Sequence, residues 1–408
     1  MKKSWFVAIV ILLTLLLVGV GLYFFFPSFK KMTDSVLPNN SQLFGTLNDT
    51  NGDSQNNVDT TTGSSTPITQ NPETPIEKEV GFKAFKIGDY SVSSLQPLDF
   101  KTGTTSTSTL LVSIGKGSGV VRLYDPQTDV TSIIGTIPVP NIIASEFTEN
   151  GTYVVVQSQE VDILKTIILK STPRTPTEER FFTPIYSDSN IMNFFVEKNI
   201  IYFTEKIQSG SELYEYEPST NKKTLLYRGL FSDIYGYARG KEIFIGTKPA
   251  SNTLGFLFKL NRESGLMEKI VSGNALVGVP TLNGKALLTT EYFDDESQTN
   301  IINVEDKESV YLPINTFKEK CVPKTSTKTF MFCGVSQSLE KKSPDSWYMG
   351  KISINDELYL IDSESGSMSI ITSTDELVDV FNPHSSQYSG ILTFINKKNL
   401  NPWIIILK

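Results

Sequence analysis

Few side chains in this sequence have the chemistry of a catalytic group, and histidine is the scarcest of them. His384 is the only imidazole among the 408 residues, so a Ser-His-Asp triad would have to include it. No Gly-x-Ser-x-Gly nucleophile elbow, the usual setting for the serine of a hydrolase domain, occurs in the chain. We therefore expect His384 to lie in a hairpin loop without a catalytic role, and the sequence indicates no catalytic residue.

Two further segments have the composition of ligand-binding loops but lack their spacing. Gly115–Gly119 is rich in glycine, yet it lacks the P-loop spacing and precedes a strand rather than a helix. Asp49–Asp53 resembles the start of a calcium loop, but Ser54 stands where glycine is required and Thr60 where the last acidic ligand is required. We interpret the first as a turn and the second as part of an acidic linker. The sequence thus predicts no metal site and no cofactor.

Two loops combine aromatic side chains with carboxylates and are the best candidates for ligand binding. One lies within residues 336–355 and the other near residue 294. Aromatic rings with neighbouring carboxylates suit a peptide, a glycan or a cation. The alternative is that Trp347 and Tyr348 only cover the edge of the fold and a nearby disulfide. The six candidate residues are Asp345, Trp347, Tyr348, Tyr292, Asp294 and Asp295.

The two cysteines, Cys321 and Cys333, are spaced for a disulfide across a β-hairpin. They lie symmetrically about Thr327, the centre of a predicted turn, so they should face each other on paired strands. A disulfide here would contribute roughly 3 kcal/mol to stability, and it requires an oxidising compartment. Two separate buried thiols are the alternative. A metal or redox pair is disfavoured, because no other cysteine exists and the histidine is distant in the sequence.

An apolar segment near the N-terminus determines the compartment in which these groups lie. Residues 5–26 contain neither a charge nor a proline, and a helix over this range would span roughly 33 Å, enough to cross a bilayer. Bulky aromatic residues end the segment where a signal peptidase would need small ones. We therefore expect an uncleaved signal-anchor over residues 5–26, with residues 1–4 in the cytoplasm. A cleaved signal is the alternative.

Residues 27–79 form a predicted flexible linker, because asparagine, threonine, serine, glycine and proline dominate them. Lysines flank the apolar segment on both sides, so charge alone does not fix its orientation. The cysteine pair and the acidic, tethered chain favour a location outside the cytoplasm. We expect a single-pass protein of the cell membrane. The net charge of −7 and the lack of a basic patch argue against nucleic acid as a partner.

From residue 80 onward the chain repeats a unit of short strands. One repeated feature is a strand that ends in a polar residue and is followed by a turn of proline, serine, threonine or glycine. Its copies recur at intervals of roughly 45 residues, with one longer interval before the last. The polar residues are Asp125, Lys170, Glu217, Asn261, Glu305 and Asp362. A period of roughly 40–50 residues with several strands per unit is typical of a β-propeller.

A second repeated feature, a β-hairpin, lies between these turns. Its copies are centred near Thr105, Gly151, Asn199, Gly240, Gly284, Thr327 and Gln387. Seven hairpins indicate seven blades, each a four-stranded antiparallel sheet. The last blade lacks a fourth strand at the C-terminus, whereas a surplus strand begins near residue 82. We therefore predict an all-β, seven-bladed β-propeller over residues 80–408, in which residues 82–92 complete the last blade and cover its free edge.

Three segments carry a resemblance to known proteins. They are the hairpin Phe147–Val154, turns of the type Asp362–Gly366, and the block Lys320–Asp362. These segments resemble the WD40-like and TolB-like propellers of bacterial envelope proteins, many of them membrane-anchored and largely uncharacterised. The resemblance implies binding or scaffolding outside the cytoplasm. It transfers no catalytic residue, and the histidine and Trp-Asp signatures of strict WD40 repeats are absent.

Together these observations predict a binding or scaffolding module for an envelope protein, a peptide or a glycan, tethered to the membrane by one N-terminal helix. The alternative is a hydrolase- or lyase-type enzyme with carboxylates and a cation in the central channel. Acidic side chains that converge on the channel would favour the enzyme. A channel lined by apolar, serine and threonine side chains would favour the binding module.

Overall fold

The computed structural model describes most of the chain beyond residue 81. The described residues are 82–102, 106–172, 179–293, 296–325, 327–336, 344–372, 374 and 376–407. The predicted anchor over residues 5–26 and the predicted linker over residues 27–79 lie outside them. In the described part, no helix has both the length and the apolar character needed to cross a bilayer.

Seven four-stranded antiparallel sheets form the blades of a β-propeller, which confirms the predicted all-β fold class. The strands of blades 1 to 3 are β2 (Val92–Thr102), β3 (Ser106–Gly115), β4 (Val120–Asp125), β5 (Val130–Thr136), β6 (Ile142–Phe147), β7 (Tyr153–Glu160), β8 (Ile163–Thr172), β9 (Phe181–Asp188), β10 (Ile191–Glu197), β11 (Ile200–Ile207), β12 (Gly210–Glu217) and β13 (Lys222–Gly229). The strands of blades 4 to 6 are β14 (Ile234–Arg239), β15 (Glu242–Thr247), β16 (Leu254–Asn261), β17 (Met267–Asn274), β18 (Val277–Pro280), β19 (Ala286–Phe293), β20 (Glu296–Asn303), β21 (Ser309–Leu312), β22 (Cys321–Pro323), β23 (Phe330–Ser336), β24 (Asp356–Asp362) and β25 (Met368–Thr372). Blade 7 contains β26 (Val380–Ser385), β27 (Ile391–Asn396), β28 (Asn401–Ile406) and β1 (Lys83–Lys86).

Strand β1 is the outermost strand of blade 7, whose order is β26-β27-β28-β1. It pairs antiparallel with β28, with Lys83 opposite Ile406. The strand is shorter than the predicted closing segment 82–92, because Val92 already begins β2 of blade 1. Blade 7 is thus built from both ends of the described chain, and β1 covers the edge that β28 would otherwise expose.

The hydrophobic core is divided among the interfaces between neighbouring blades. Seven clusters of buried apolar residues each combine two adjacent blades, and one of them joins blade 7 to blade 1. Between blades 1 and 2, for example, Val112 and Val154 belong to one cluster. A central strand such as β7 is covered on both faces, which explains its uninterrupted run of valines. Each such side chain contributes roughly 1.5–3 kcal/mol through burial.

Two of the predicted hairpin turns show why the same short sequence recurs. At Gly151 and Gly284 the backbone φ angles are 64° and 68°, in the left-handed region that glycine adopts without a steric penalty. In both turns the asparagine before the glycine accepts a hydrogen bond from the threonine hydroxyl two residues earlier. The Asn-Gly pair therefore defines the turn and the register of the strands beside it.

The predicted disulfide is present in blade 6. Cys321 on β22 lies directly opposite Cys333 on β23, with 4.2 Å between their Cα atoms. Both residues are buried in the cluster between blades 5 and 6. The bond therefore ties the innermost strand of blade 6 to its neighbour within the core.

The ring has two faces, which differ in the loops they carry. One face carries the loops between the second and third strands of each blade and the connections from blade to blade; we call it the loop face. The hairpin face carries the turns between first and second strands. Because β28 starts at the loop face and β1 runs antiparallel to it, β1 begins on the hairpin face. Lys83 and Ile406 therefore lie together on the hairpin face.

Candidate functional site

A short helix, α1 (Asp345–Tyr348), places the tryptophan of the predicted binding loop inside the protein. Trp347 is 0% exposed, and its ring stacks on Phe317 with the centroids 4.5 Å apart and 9° between the planes. Phe317 stacks in turn on Tyr292 at 5.3 Å. Tyr292, Phe317 and Trp347 thus form a buried aromatic stack beneath the loop face.

A buried network of charges fixes this aromatic stack. The Nζ atom of Lys320 lies 2.5 Å from Asp379 and also contacts Asp356, and all three side chains are 0% exposed or nearly so. The indole N–H of Trp347 donates to both carboxylate oxygens of Asp379 at 3.1 Å. Burial raises the pKa of Asp356, although the Lys320 ammonium acts in the opposite direction. The network joins the connection before β22, the start of β24 and the connection before β26.

A second lysine ties the same tryptophan to blade 7. The Nζ atom of Lys397 lies 3.8 Å from the centroid of the Trp347 ring and donates a hydrogen bond to the Trp347 carbonyl oxygen. Burial lowers the pKa of Lys397. A cation held over an indole face is favourable by roughly 0.5–2 kcal/mol, and more so where water is excluded. Trp347 is therefore a connector between blades 6 and 7.

The remaining described candidates also hold the loops together. The Tyr292 hydroxyl donates to a backbone carbonyl at 2.6 Å. The Asp345 carboxylate accepts a hydrogen bond from the Ser251 backbone N–H at 3.0 Å, which links blade 6 to a loop of blade 4. The Tyr348 hydroxyl donates to Glu319 at 2.8 Å, and burial raises the pKa of Tyr348 well above its ordinary value.

Asp294 and Asp295, the other two candidates, lie outside the described residues. Conversely, the sequence interpretation did not include Lys320, Asp356 or Asp379 in the site. These three residues are distant from one another in the sequence and follow no known spacing. They share one sequence feature: each is a charged residue at, or directly before, the start of an apolar strand.

The central channel contains a cavity of about 330 Å³. The first strands of blades 2 to 7 line this cavity, together with the 3-10 turn Lys318–Lys320 that precedes β22. The polar and aromatic lining residues include Glu146, Asn193, Phe194, Phe195, Tyr235, Tyr237, Arg239, Lys318, Glu319, Asn382 and His384. The lining thus mixes aromatic, acidic and basic side chains, and it matches neither of the two simple channels anticipated from the sequence.

Two partly buried side chains that line this cavity, Glu146 and His384, carry polar atoms without a described protein partner. Among the described residues, no hydrogen bond or ion pair satisfies the Glu146 carboxyl group, and burial raises its pKa to about 8. The Nε2 atom of His384 is buried without a hydrogen-bond partner, and burial lowers the pKa of His384 to about 4. In a triad that nitrogen would receive a proton from a serine, and no described serine is hydrogen-bonded to it.

The basic groups of the channel, in contrast, already have partners. Lys318 pairs with Glu319 at 2.5 Å and lies 4.2 Å from the centroid of the Tyr235 ring. The Arg239 guanidinium donates to two backbone carbonyls, at 2.8 and 3.3 Å. Burial lowers the pKa of Arg239, and the negative charge of Glu197 acts in the opposite direction. Among the described residues, no group of three or more histidine, cysteine or acidic side chains is placed to hold a metal ion.

Large apolar side chains are exposed around the loop face from blade 2 to blade 7. They are Ile143, Val161, Ile163, Leu230, Leu254, Phe293, Met349 and Leu377. Single exposed apolar residues are common on protein surfaces, and here eight of them share one face of the ring. We call this series the loop-face ring.

Val161 is the most exposed member of the loop-face ring, at 89%. Its φ angle is 55°, a region that β-branched residues rarely adopt. Holding such a residue there costs roughly 1–3 kcal/mol, and glycine or asparagine would fit the turn at lower cost. The contacts within the fold therefore do not account for a valine at this position.

Seven closed blades around a channel define the class of this protein as a seven-bladed β-propeller. No family model matches the sequence, and no curated protein matches it. The β-propeller domain of Cps50 (Swd1) from Myceliophteria thermophila is similar, with a TM-score of 0.51, 12% identity, and coverage of 80% of this chain and 100% of that one. An oligogalacturonate lyase in complex with manganese has a TM-score of 0.48 and 10% identity, covering 80% and 98%. At 12% identity the likeness to the Cps50 domain establishes the fold alone.

Proposed function

We propose that this protein is a membrane-tethered β-propeller that acts outside the cytoplasm as a binding or scaffolding module for another protein of the cell envelope. The loop-face ring is the observation that carries the proposal. Its members come from neighbouring blades and project from the same face, as the contact residues of a protein–protein interface do. A partner that covered them would remove apolar area from water, which favours association by roughly 25 cal/mol for each Å².

The direction in which the chain enters the ring supports the choice of this face. Lys83 begins β1 on the hairpin face, so a tether that precedes residue 82 joins the propeller there. The loop face is at the opposite end of the channel. A partner on the loop face therefore does not compete for space with the point of attachment.

Photo-crosslinking in intact cells tests this proposal. A photoreactive amino acid at Leu230 or Leu377, both in blade-to-blade connections of the loop face, should cross-link to one and the same envelope protein. The matched control is Leu266, which is 73% exposed, close to the 79% of Leu230, but lies on the hairpin face. Cross-links of equal yield from Leu266, or different proteins captured from the two loop-face positions, would contradict the proposal.

Substitution of the same residues provides an independent measure. Leu230→Asp combined with Leu377→Asp should abolish cross-linking from a probe at Leu254, because two charges would have to be buried in the interface. Leu266→Asp should leave that cross-link unchanged. Because all three leucines are exposed, none of these variants should lose more than about 0.5 kcal/mol of stability.

A further inference from the structure

The channel contains a second feature that the loop-face ring does not explain. Glu146 is the next-to-last residue of β6, and His384 is the next-to-last residue of β26. Both are on first strands, which run from the loop face to the hairpin face, so the two side chains lie at a similar depth in the channel. Both line the same cavity of about 330 Å³.

The basic side chains of the channel have partners within the described part of the protein, whereas one acidic side chain does not. The cation Lys318 is paired with Glu319, and Arg239 is hydrogen-bonded to carbonyl oxygens. Glu146 has no corresponding cation among the described residues. Glu146 is partly buried, and partial desolvation without a cation nearby disfavours the charged form of a carboxyl group. A ligand that supplied a positive charge would favour the carboxylate.

The neighbouring groups suit the same type of ligand. A neutral imidazole offers one nitrogen that accepts and one that donates a hydrogen bond, and the Nε2 atom of His384 has no protein partner. The Phe194 and Tyr237 rings line the same cavity, and the face of an aromatic ring attracts a cation. A cavity of this size accommodates the end of an alkyl amine, such as the side chain of a lysine.

We propose that the central channel binds a primary ammonium group carried on an alkyl chain, with the Glu146 carboxylate as its counter-ion and the His384 imidazole as a hydrogen-bond partner. The ammonium group presents three N–H donors, which can be shared between the carboxylate and the imidazole. This site lies inside the ring and does not depend on a partner at the loop-face ring. If the channel did not bind an ammonium group, the proposed function would be unaffected. If no partner bound the loop-face ring, the proposal for the channel would be unaffected.

Nuclear magnetic resonance tests the proposal directly, because the chain has a single histidine. Histidine-selective labelling of the full-length chain, purified in detergent without a polyhistidine tag, gives one imidazole signal, from His384. At pH 8 the probe Nα-acetyl-lysine-N-methylamide should shift this signal in a saturable manner. The corresponding norleucine derivative, which has a similar chain but no ammonium group, should not shift it.

A pair of charge-matched variants identifies the counter-ion. Glu146→Gln should weaken binding of the lysine derivative by roughly ten- to a hundredfold, the effect of removing a charged hydrogen-bond partner. Glu149→Gln, an exposed residue on the adjoining hairpin, should bind like the unaltered protein. The position of the free imidazole signal and the melting temperature show whether each variant is folded.

Three results would overturn the proposal. The first is a shift of equal size with the norleucine derivative, which would show that only the apolar chain is recognised. The second is unchanged affinity in a folded Glu146→Gln variant. The third is a shift with inorganic phosphate and none with the lysine derivative, which would show that Arg239 makes the channel an anion site.

Discussion

Lys320, Asp356 and Asp379 place three ionisable side chains where almost no solvent reaches them. Such a group of charges is stable only while each member keeps its partners, since desolvation of a single charge costs several kcal/mol. Trp347 and the backbone N–H groups of Ile354 and Val380 donate further hydrogen bonds to the two carboxylates, whereas the Oδ1 atom of Asp356 is buried without a partner. The network is therefore a structural element of the loop face.

Removing Lys320 should consequently destabilise the loop face around this network. We predict that Lys320→Ala lowers the free energy of unfolding by roughly 3–5 kcal/mol, because Asp356 and Asp379 would remain buried beside each other. Chemical denaturation monitored by tryptophan fluorescence measures the change. Lys351→Ala, an exposed lysine of the same loop, should change the stability by less than about 0.5 kcal/mol. Equal stability of the two variants would contradict this account.

The unpaired carboxyl group of the channel should make stability depend on pH. The pKa of Glu146 is raised to about 8 in the folded protein, above an ordinary value of 4.5. The folded state thus retains a proton that the unfolded state releases, so the contribution of Glu146 to stability is present below pH 4.5 and is lost as the pH rises toward 8.

We therefore predict that Glu146→Gln raises the melting temperature at pH 8 to 9 and has little effect at pH 4. Thermal unfolding across this range measures the difference between the two proteins. Glu149→Gln serves as the control and should follow the unaltered protein at every pH. A Glu146→Gln variant whose melting temperature differs by the same amount at both ends of the range would refute the prediction.

At the scale of elements, the repeated hairpins explain why the fold can be predicted from the sequence. Asn-Gly turns such as that at Gly151 specify the hairpin locally, and the strands beside them need only be apolar because they are covered by blades on both sides. The cysteine pairing follows from symmetry about the turn at Thr327. In contrast, the burial of Trp347 depends on contacts with blades 5 and 7, and no local pattern contains that information.

The disulfide joins two strands across 12 residues of sequence. A loop of that length predicts a loss of roughly 2–4 kcal/mol of stability when Cys321 and Cys333 are both replaced by serine. A reducing agent should lower the melting temperature of the unaltered protein and have no effect on the double variant. A melting temperature that does not respond to reduction in either protein would contradict the prediction.

The contribution of the closing strand β1 to stability can also be tested directly. Replacing Lys83–Lys86 by alternating glycine and serine removes the packing of Phe85 against the core between blades 7 and 1 and exposes the edge of β28. We predict a loss of at least about 2 kcal/mol and increased aggregation, because a free strand edge pairs with other chains. Calorimetry and light scattering measure both effects. An unchanged monomeric protein would show that β1 is dispensable.

At the scale of the whole molecule, the start of the described chain and the loop-face ring lie at opposite ends of the channel. The described chain starts and ends on the hairpin face, whereas the loop-face ring is exposed at the other end of the channel. The buried charge network lies beneath the loops of blades 5 to 7 and gives that part of the loop face a rigid foundation. In our proposal the tether limits where the protein can reach, and the loop face determines what it binds.

Thiol labelling of single-cysteine positions tests this central claim most directly. The two native cysteines are joined in a disulfide, so Leu230→Cys and Leu266→Cys each add the one thiol expected to react. In spheroplasts, a membrane-impermeant maleimide should label both positions once complexes are dissociated, and in untreated spheroplasts the thiol at 230 should be protected relative to the thiol at 266. Labelling only after the membrane is broken, or equal labelling of the two positions in untreated spheroplasts, would contradict the account.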